Sequence, residues 1–158
     1  MKQHIYHVQT RWTGNLGEGT SAYRSYSRNY NIHVKGKPVL EGTSDPAFLG
    51  DPEKYNPEEM FIAAISACHM LWYLHLCTDN SITVISYEGT AEGVMELEKD
   101  GSGRFISAVL KPRIVIKEKD KMSTAESLHV DANRLCFIAN SCNFKISHEP
   151  EIHYVDDD

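Results

Sequence analysis

Twenty-two residues, Asn56 to Cys77 (NPEEMFIAAISACHMLWYLHLC), constrain this chain more than any other stretch. Asn56 is a helix-capping residue and Pro57 suits a first helical turn. Glu59 stands three residues after the cap, where its carboxylate can return to the cap's own amide. From Met60 to Leu76 apolar residues run all round the helical wheel, interrupted by Ser66, His69 and His75. That pattern predicts a core helix wrapped by protein on every side. A bilayer span takes about 20 residues with few polar groups; the two histidines and the flanking Asp79 count against one, so no membrane partner is expected. Cys68 lies near the middle of the stretch, among Ala63, Ala64, Ser66 and Ala67.

At 158 residues the chain has the length of one ordinary domain, able to bury a core without disulfides or a structural metal. A single domain over 1–158 is the expectation. The net charge of −6 and the dispersal of lysine and arginine give no clustered basic face, so no nucleic-acid partner is expected. The first thirty residues carry no apolar signal-peptide core, and a reducing cytoplasm is the expected compartment. Four cysteines (Cys68, Cys77, Cys136, Cys142) form no C-x-x-C pair, and the histidines fall in no metal-ligand spacing, so neither a metal nor another cofactor is expected.

Alternation over His4–Trp12 predicts a first strand. After a glycine-rich turn it resumes from Ala22 to Val34, with Arg24 and Arg28 on the same parity as Ile32 and Val34. A guanidinium on a covered face needs an anionic partner; a bulge would instead turn both arginines to water. Val39–Glu41 is a short strand, and Thr43–Tyr55 a loop of the length that is often functional. Two strands, Ile82–Leu97 and Arg104–Lys117, are joined through the hairpin signal Asp100-Gly101. On the second, Ile106, Ala108, Leu110, Pro112, Ile114 and Ile116 form one apolar face for a helix to cover. Ser123–Glu126 spells a capping box, followed by Leu128, Ala132, Leu135 and Ala139 at helical spacing, with Cys136 turned toward the same interior. A last strand, Phe144–Tyr154, precedes the acidic tail Asp156–Asp158, expected to fray. The order β-β-(β)-α-β-β-α-β indicates an α+β fold.

One arrangement suggests reactivity: two cysteines on the inward faces of two helices, with arginines on a covered strand. The thiolate is the nucleophile, and a free thiol near pKa ~8.5 needs a cation to ionise at neutral pH. Burial alone pushes the wrong way. His69 leaves the helix about 100° from Cys68, and His75 lies about 10 Å further along the axis, so neither is a natural base for it. Cys77 sits half a turn round the wheel and cannot pair with Cys68. A cysteine among alanines on a buried helix is more often a small inert hydrophobe than a catalyst, so the residues alone leave these roles open.

The segments NPEEMFIAAISACH, SYEGTAEG, LKPRIVI and LHVDANRLCFIANS resemble, in order and over nearly the whole chain, the OsmC/Ohr family of osmotically inducible and organic hydroperoxide resistance proteins. The resemblance implies an OsmC-like fold with antiparallel sheets wrapped around two central helices, an intertwined homodimer, and a cofactor-free thiol peroxidase acting on organic hydroperoxides or hydrogen peroxide. By the same resemblance Cys68 is the peroxidatic cysteine and Cys136 the resolving one, joined in a disulfide that a thiol reductant reopens. Glu58 is the supporting carboxylate and Arg28 the supporting arginine, with Arg24 the rival placement. Glu58 and Cys68 lie about 15 Å apart along a continuous helix, so their contact needs a break or the arginine between them. The second-cysteine segment reads CFIANS where the best-defined peroxidase branches carry Cys-Pro. Two other functions fit the residues: a small-molecule hydrolase or thioesterase with Glu58 as base, and a non-catalytic binder of apolar ligands with inert cysteines.

Overall fold

The computed structural model describes residues 2–155; the acidic tail Asp156–Asp158 lies outside them. The contacts divide the chain into two compact units, one up to Phe61 and one from Ile62 onward.

The first unit holds a three-stranded antiparallel sheet in the order β1 (Gln9–Trp12), β2 (Tyr30–His33) and β3 (Leu40–Gly42). Trp12 pairs with Tyr30, and Tyr30 in turn with Gly42. The strand expected over Ala22–Val34 begins only at Tyr30. Residues Gly19 to Ser25 instead form turns closed by Ser25 Oγ, which accepts from the Ala22 amide and lies within donating distance of the carbonyls of Gly19 and Ala22, one of which takes its proton. Short polar side chains that satisfy the backbone locally compete with the ladder. Arg24 and Arg28 therefore do not lie on a covered strand face. The loop after β3 carries a 3-10 turn, Pro46–Phe48, whose first amides are capped by Asp45, and the Thr43 amide closes its base on the Tyr55 carbonyl.

Helix α1 (Pro57–Asp79) starts as its sequence predicts. The Glu59 amide donates to Asn56 Oδ1 at 2.8 Å, and the Asn56 amide donates to Glu59 Oε2 at 3.1 Å. The remainder of α1 belongs to the second unit, with the long hairpin β4 (Val84–Leu97) and β5 (Gly103–Ile116), helix α2 (Met122–Leu135), and the short strands β6 (Lys145–His148) and β7 (Glu151–Tyr154). The class is α+β.

β5 is the spine of this unit. It pairs antiparallel with β4 along its whole length, while β6 and β7 both run parallel to it. The second sheet is therefore mixed, not antiparallel as expected, because the α2 crossover returns the chain in the direction of β5. β6 and β7 keep one register against β5, which sets Pro150 opposite Pro112 where the expected single strand divides. Neither proline has an amide to give a ladder there. Ala108, Leu110, Pro112, Ile114 and Ile116 are buried, whereas Ile106, near the open end, is 36 % exposed. Gly93 on β4 faces Ile62 and Phe105 so closely that a Cβ has no room.

Tyr73 and Cys77 of α1 pack with Ile82, Ile114, Ile116, Ala125, Leu128 and Ala132 in the core. By length and composition α1 is apolar enough to cross a bilayer, but a stripe of Ile65, His69, Tyr73 and Cys77 is buried within the chain. The expectation of complete wrapping is corrected: Ala63, Ala64, Ala67 and Leu71 stay exposed, Leu71 at 63 %. α2 also differs from its expected start. It continues from a 3-10 turn, Lys119–Lys121, without a side-chain cap, so the Ser123–Glu126 box is not used. It stops at Leu135 rather than continuing to Ala139.

Candidate redox site

Cys68 lies mid-way along α1 and is half-buried; Cys136 is the residue at which α2 ends, and is fully buried. The Cys136 amide still bonds the Ala132 carbonyl, closing the last helical turn, while its ψ of 113° turns the chain into the extended region. Its sulfur thus sits on the inner face of α2, two turns beyond His129. The Cys68 thiol is near enough to Cys136 to perturb it, and all four cysteines are free.

Burial, then the neighbouring Cys68 thiol, push the Cys136 thiol above its usual range. The Ala139 amide, which donates to Cys136 Sγ at 3.3 Å, pulls the other way. The net direction for Cys136 is upward, toward the protonated thiol. The segment after it is laced to itself: Ser141 Oγ donates to the Phe137 carbonyl and the Cys142 thiol to the Ile138 carbonyl. Cys77 is buried beside Tyr73, and burial raises its pKa.

The two other predicted residues lie in the first unit. The Arg28 guanidinium folds over the rings of Tyr23 and Tyr26 and donates to both of their carbonyls at 2.6 Å. Arg24 is exposed. Glu58, in the first turn of α1, has a buried Oε2 without a hydrogen-bond partner. The Tyr30 phenol nearby is raised in pKa first by burial and then by the Glu58 carboxylate. α1 has no break between Glu58 and Cys68.

Sequence reasoning missed a stack of rings in the second unit. His69 Nε2 and His129 Nδ1 are 2.9 Å apart, His148 stacks on His69 at 4.6 Å, and Tyr73 stacks on His129 at 4.0 Å. The signal was present: His69 interrupts an apolar helix, and His129 shares the α2 face of Leu128 and Ala132, where a polar side chain needs a buried partner. Burial lowers all three histidines, His69 to about 4 and His129 to about 3. Among the described residues no group of three His, Cys, Asp or Glu side chains converges to hold a metal ion. His75 pairs with Asp79 at 3.5 Å.

A family model described as OsmC-like protein matches residues 50–151. The chain belongs to the OsmC-like family. An OsmC-like protein of unknown function from Vibrio cholerae O1 biovar eltor is 26 % identical, with 94 % of this chain and 100 % of that chain covered and a TM-score of 0.84. An organic hydroperoxide resistance protein OsmC from Legionella pneumophila is 16 % identical over 97 % of this chain and 99 % of its own, at a TM-score of 0.70. An organic hydroperoxide resistance protein from Elizabethkingia anophelis is 17 % identical over 98 % and 100 %, at 0.65. The last two share the OsmC-like fold at identities that speak for the fold alone. No curated protein matches the sequence.

Proposed function

We propose that this OsmC-like protein is a peroxide-resistance protein working as a thiol peroxidase, with Cys68 as nucleophile and Cys136 as resolving thiol. The observation that carries the reading is that Cys68 and Cys136 are neighbours: a half-buried sulfur beside a fully buried one whose pKa it helps to raise. Membership of the OsmC-like family, whose fold is shared by proteins described as organic hydroperoxide resistance proteins, supports it.

The Cys68 thiolate attacks one peroxide oxygen and the O–O bond breaks. The sulfur becomes a sulfenic acid, and the other oxygen leaves as an alkoxide that takes a proton to give the alcohol. The Cys136 sulfur then attacks Cys68, the S–OH bond breaks, and water departs with the Cys136 proton as the disulfide forms. Two reducing equivalents from an external thiol restore both cysteines. By the family resemblance Arg28 and Glu58 are the supporting residues, since a guanidinium favours a thiolate and polarises a peroxide and a carboxylate can orient it; in that role Arg28 would give up the Tyr23 and Tyr26 carbonyls that it holds. The partnerless Oε2 of Glu58 is an acceptor open to such a cation, from the same chain or a second subunit.

Stopped-flow mixing with an alkyl hydroperoxide tests the assignment. Cys68→Ser should lose at least about a hundredfold in peroxide consumption; Cys136→Ser should react once and accumulate a sulfenic acid that a dione probe traps. Arg28→Ala and Glu58→Gln should slow the first step without changing which product forms. Peroxide consumption by Cys68→Ser at the wild-type rate would end this reading.

A further inference from the structure

The peroxide chemistry leaves the buried histidines without a task. His69 and His129 are 1 % and 2 % exposed, and His148 completes the stack. In the bond between His69 Nε2 and His129 Nδ1 one ring donates and the other accepts. Whichever way the proton lies, the outer nitrogens, His69 Nδ1 and His129 Nε2, are one N–H and one lone pair, and both are buried without a partner. Each such orphan costs about 1–3 kcal/mol. A leucine or phenylalanine would fill the space at no such cost. What an apolar side chain cannot supply is a bond of fixed length and direction between two helices, the property for which buried polar pairs are retained in proteins where they set register.

The position of the pair shows what it aligns. His69 follows Cys68 on α1. His129 precedes Cys136 by two turns on one face of α2, about 10 Å along its axis. The helices are tied by the bond between the two imidazoles, by the stacking of Tyr73 on His129 and by the packing of Tyr73 and Cys77 with Ala125, Leu128 and Ala132. Of these contacts only the hydrogen bond fixes both a distance and a direction, since stacked rings and packed aliphatic side chains can slide. An aromatic edge contact between Trp72, one turn after Cys68, and Phe137, next to Cys136, is 69 % exposed on the Phe137 side and is a weak restraint.

We infer that the His69–His129 hydrogen bond is the positioning element of the thiol pair: it fixes where α2 sits against α1 next to Cys68 and so holds the Cys136 sulfur beside Cys68. The inference rests on the pairing of Cys68 with Cys136 proposed above, but not on peroxide as the oxidant.

The test is the equilibrium of the purified full-length protein with glutathione buffers. Glutathione disulfide takes two electrons from the pair, giving the Cys68–Cys136 disulfide and two glutathione thiols; the constant reads the effective concentration of one sulfur at the other. His129→Leu and His69→Leu, which fill the same space without a bond, should lower that constant about tenfold or more while the melting temperature holds or rises. His129→Asn, with an amide at the Nδ1 position, and His69→Gln, with one at the Nε2 position, should stay within about threefold of wild type. Leucine variants with the wild-type constant would overturn the inference. Should they not fold, His129→Asn against His129→Gln decides, since the longer amide misplaces the bond; equal constants would overturn it. A protein that ignores alkyl hydroperoxide yet shows this histidine dependence would refute the peroxidase and keep the positioning pair.

Discussion

At the scale of single residues, the histidine stack carries a consequence for stability in acid. Burial holds His69 near about 4 and His129 near about 3, and lowers His148 as well, whereas an unfolded chain protonates its histidines near 6.5. A lowered folded-state pKa means that the unfolded chain binds the extra protons first. The contribution is therefore complete above about pH 6.5 and is lost as pH falls toward the folded values. Each neutral buried histidine adds a slope of about 1.4 kcal/mol per pH unit within that window. The rings around the pair, Tyr73 and His148, carry no negative charge to soften the loss. Urea unfolding measured from pH 7 down to pH 4.5 should show a steep fall in stability, and His129→Leu should make it shallower. A flat profile in the wild-type protein would mean that the rings take up protons within the fold.

At the scale of the elements, what was legible in the sequence is what neighbouring residues decide among themselves. The Asn56–Glu59 capping box is written in four residues and forms as written; Asn56→Ala should cost about 1 kcal/mol by loss of its amide acceptor, read as a lower urea midpoint, with Asn56→Asp close to wild type. An unchanged midpoint in Asn56→Ala would mean that the start of α1 is held by packing alone. The β4–β5 hairpin was equally plain, since alternation and Asp100-Gly101 are local. What escaped was tertiary. The Ser123–Glu126 box looked equally good but goes unused, because the Lys119–Lys121 turn leads directly into α2 and Glu118 reaches across to Thr83. The polar run before β2 alternates like a strand, yet its serines close turns. Cys68 and Cys136 were reached through resemblance to the family, and their nearness belongs to the fold of the second unit. The histidine pair joins residues sixty positions apart, beyond any periodicity.

At the scale of the whole molecule, α1 poses a question that a single copy of the chain leaves unanswered. Its apolar surface runs all round the wheel, yet Ala63, Ala64, Ala67 and Leu71 are exposed, and so are Ile5, Tyr6 and Val8 near the start of the chain. A row of small residues ending in one leucine suits the close approach of a second helix, and a two-fold axis through it would set each α1 against its copy. The homodimer that the family resemblance implies would use that row. Leu71→Asp would then place two like charges in a buried interface, and should raise the dissociation constant at least about thirtyfold, roughly 2 kcal/mol. Sedimentation velocity over a concentration series is the measurement: a dimer for the wild type, dissociating for Leu71→Asp, with the circular dichroism of both unchanged. A wild-type protein that sediments as a monomer at every concentration would refute the dimer. It would also require any arginine supporting Cys68 to come from the same chain, which makes the Arg28→Ala rate the decisive companion measurement.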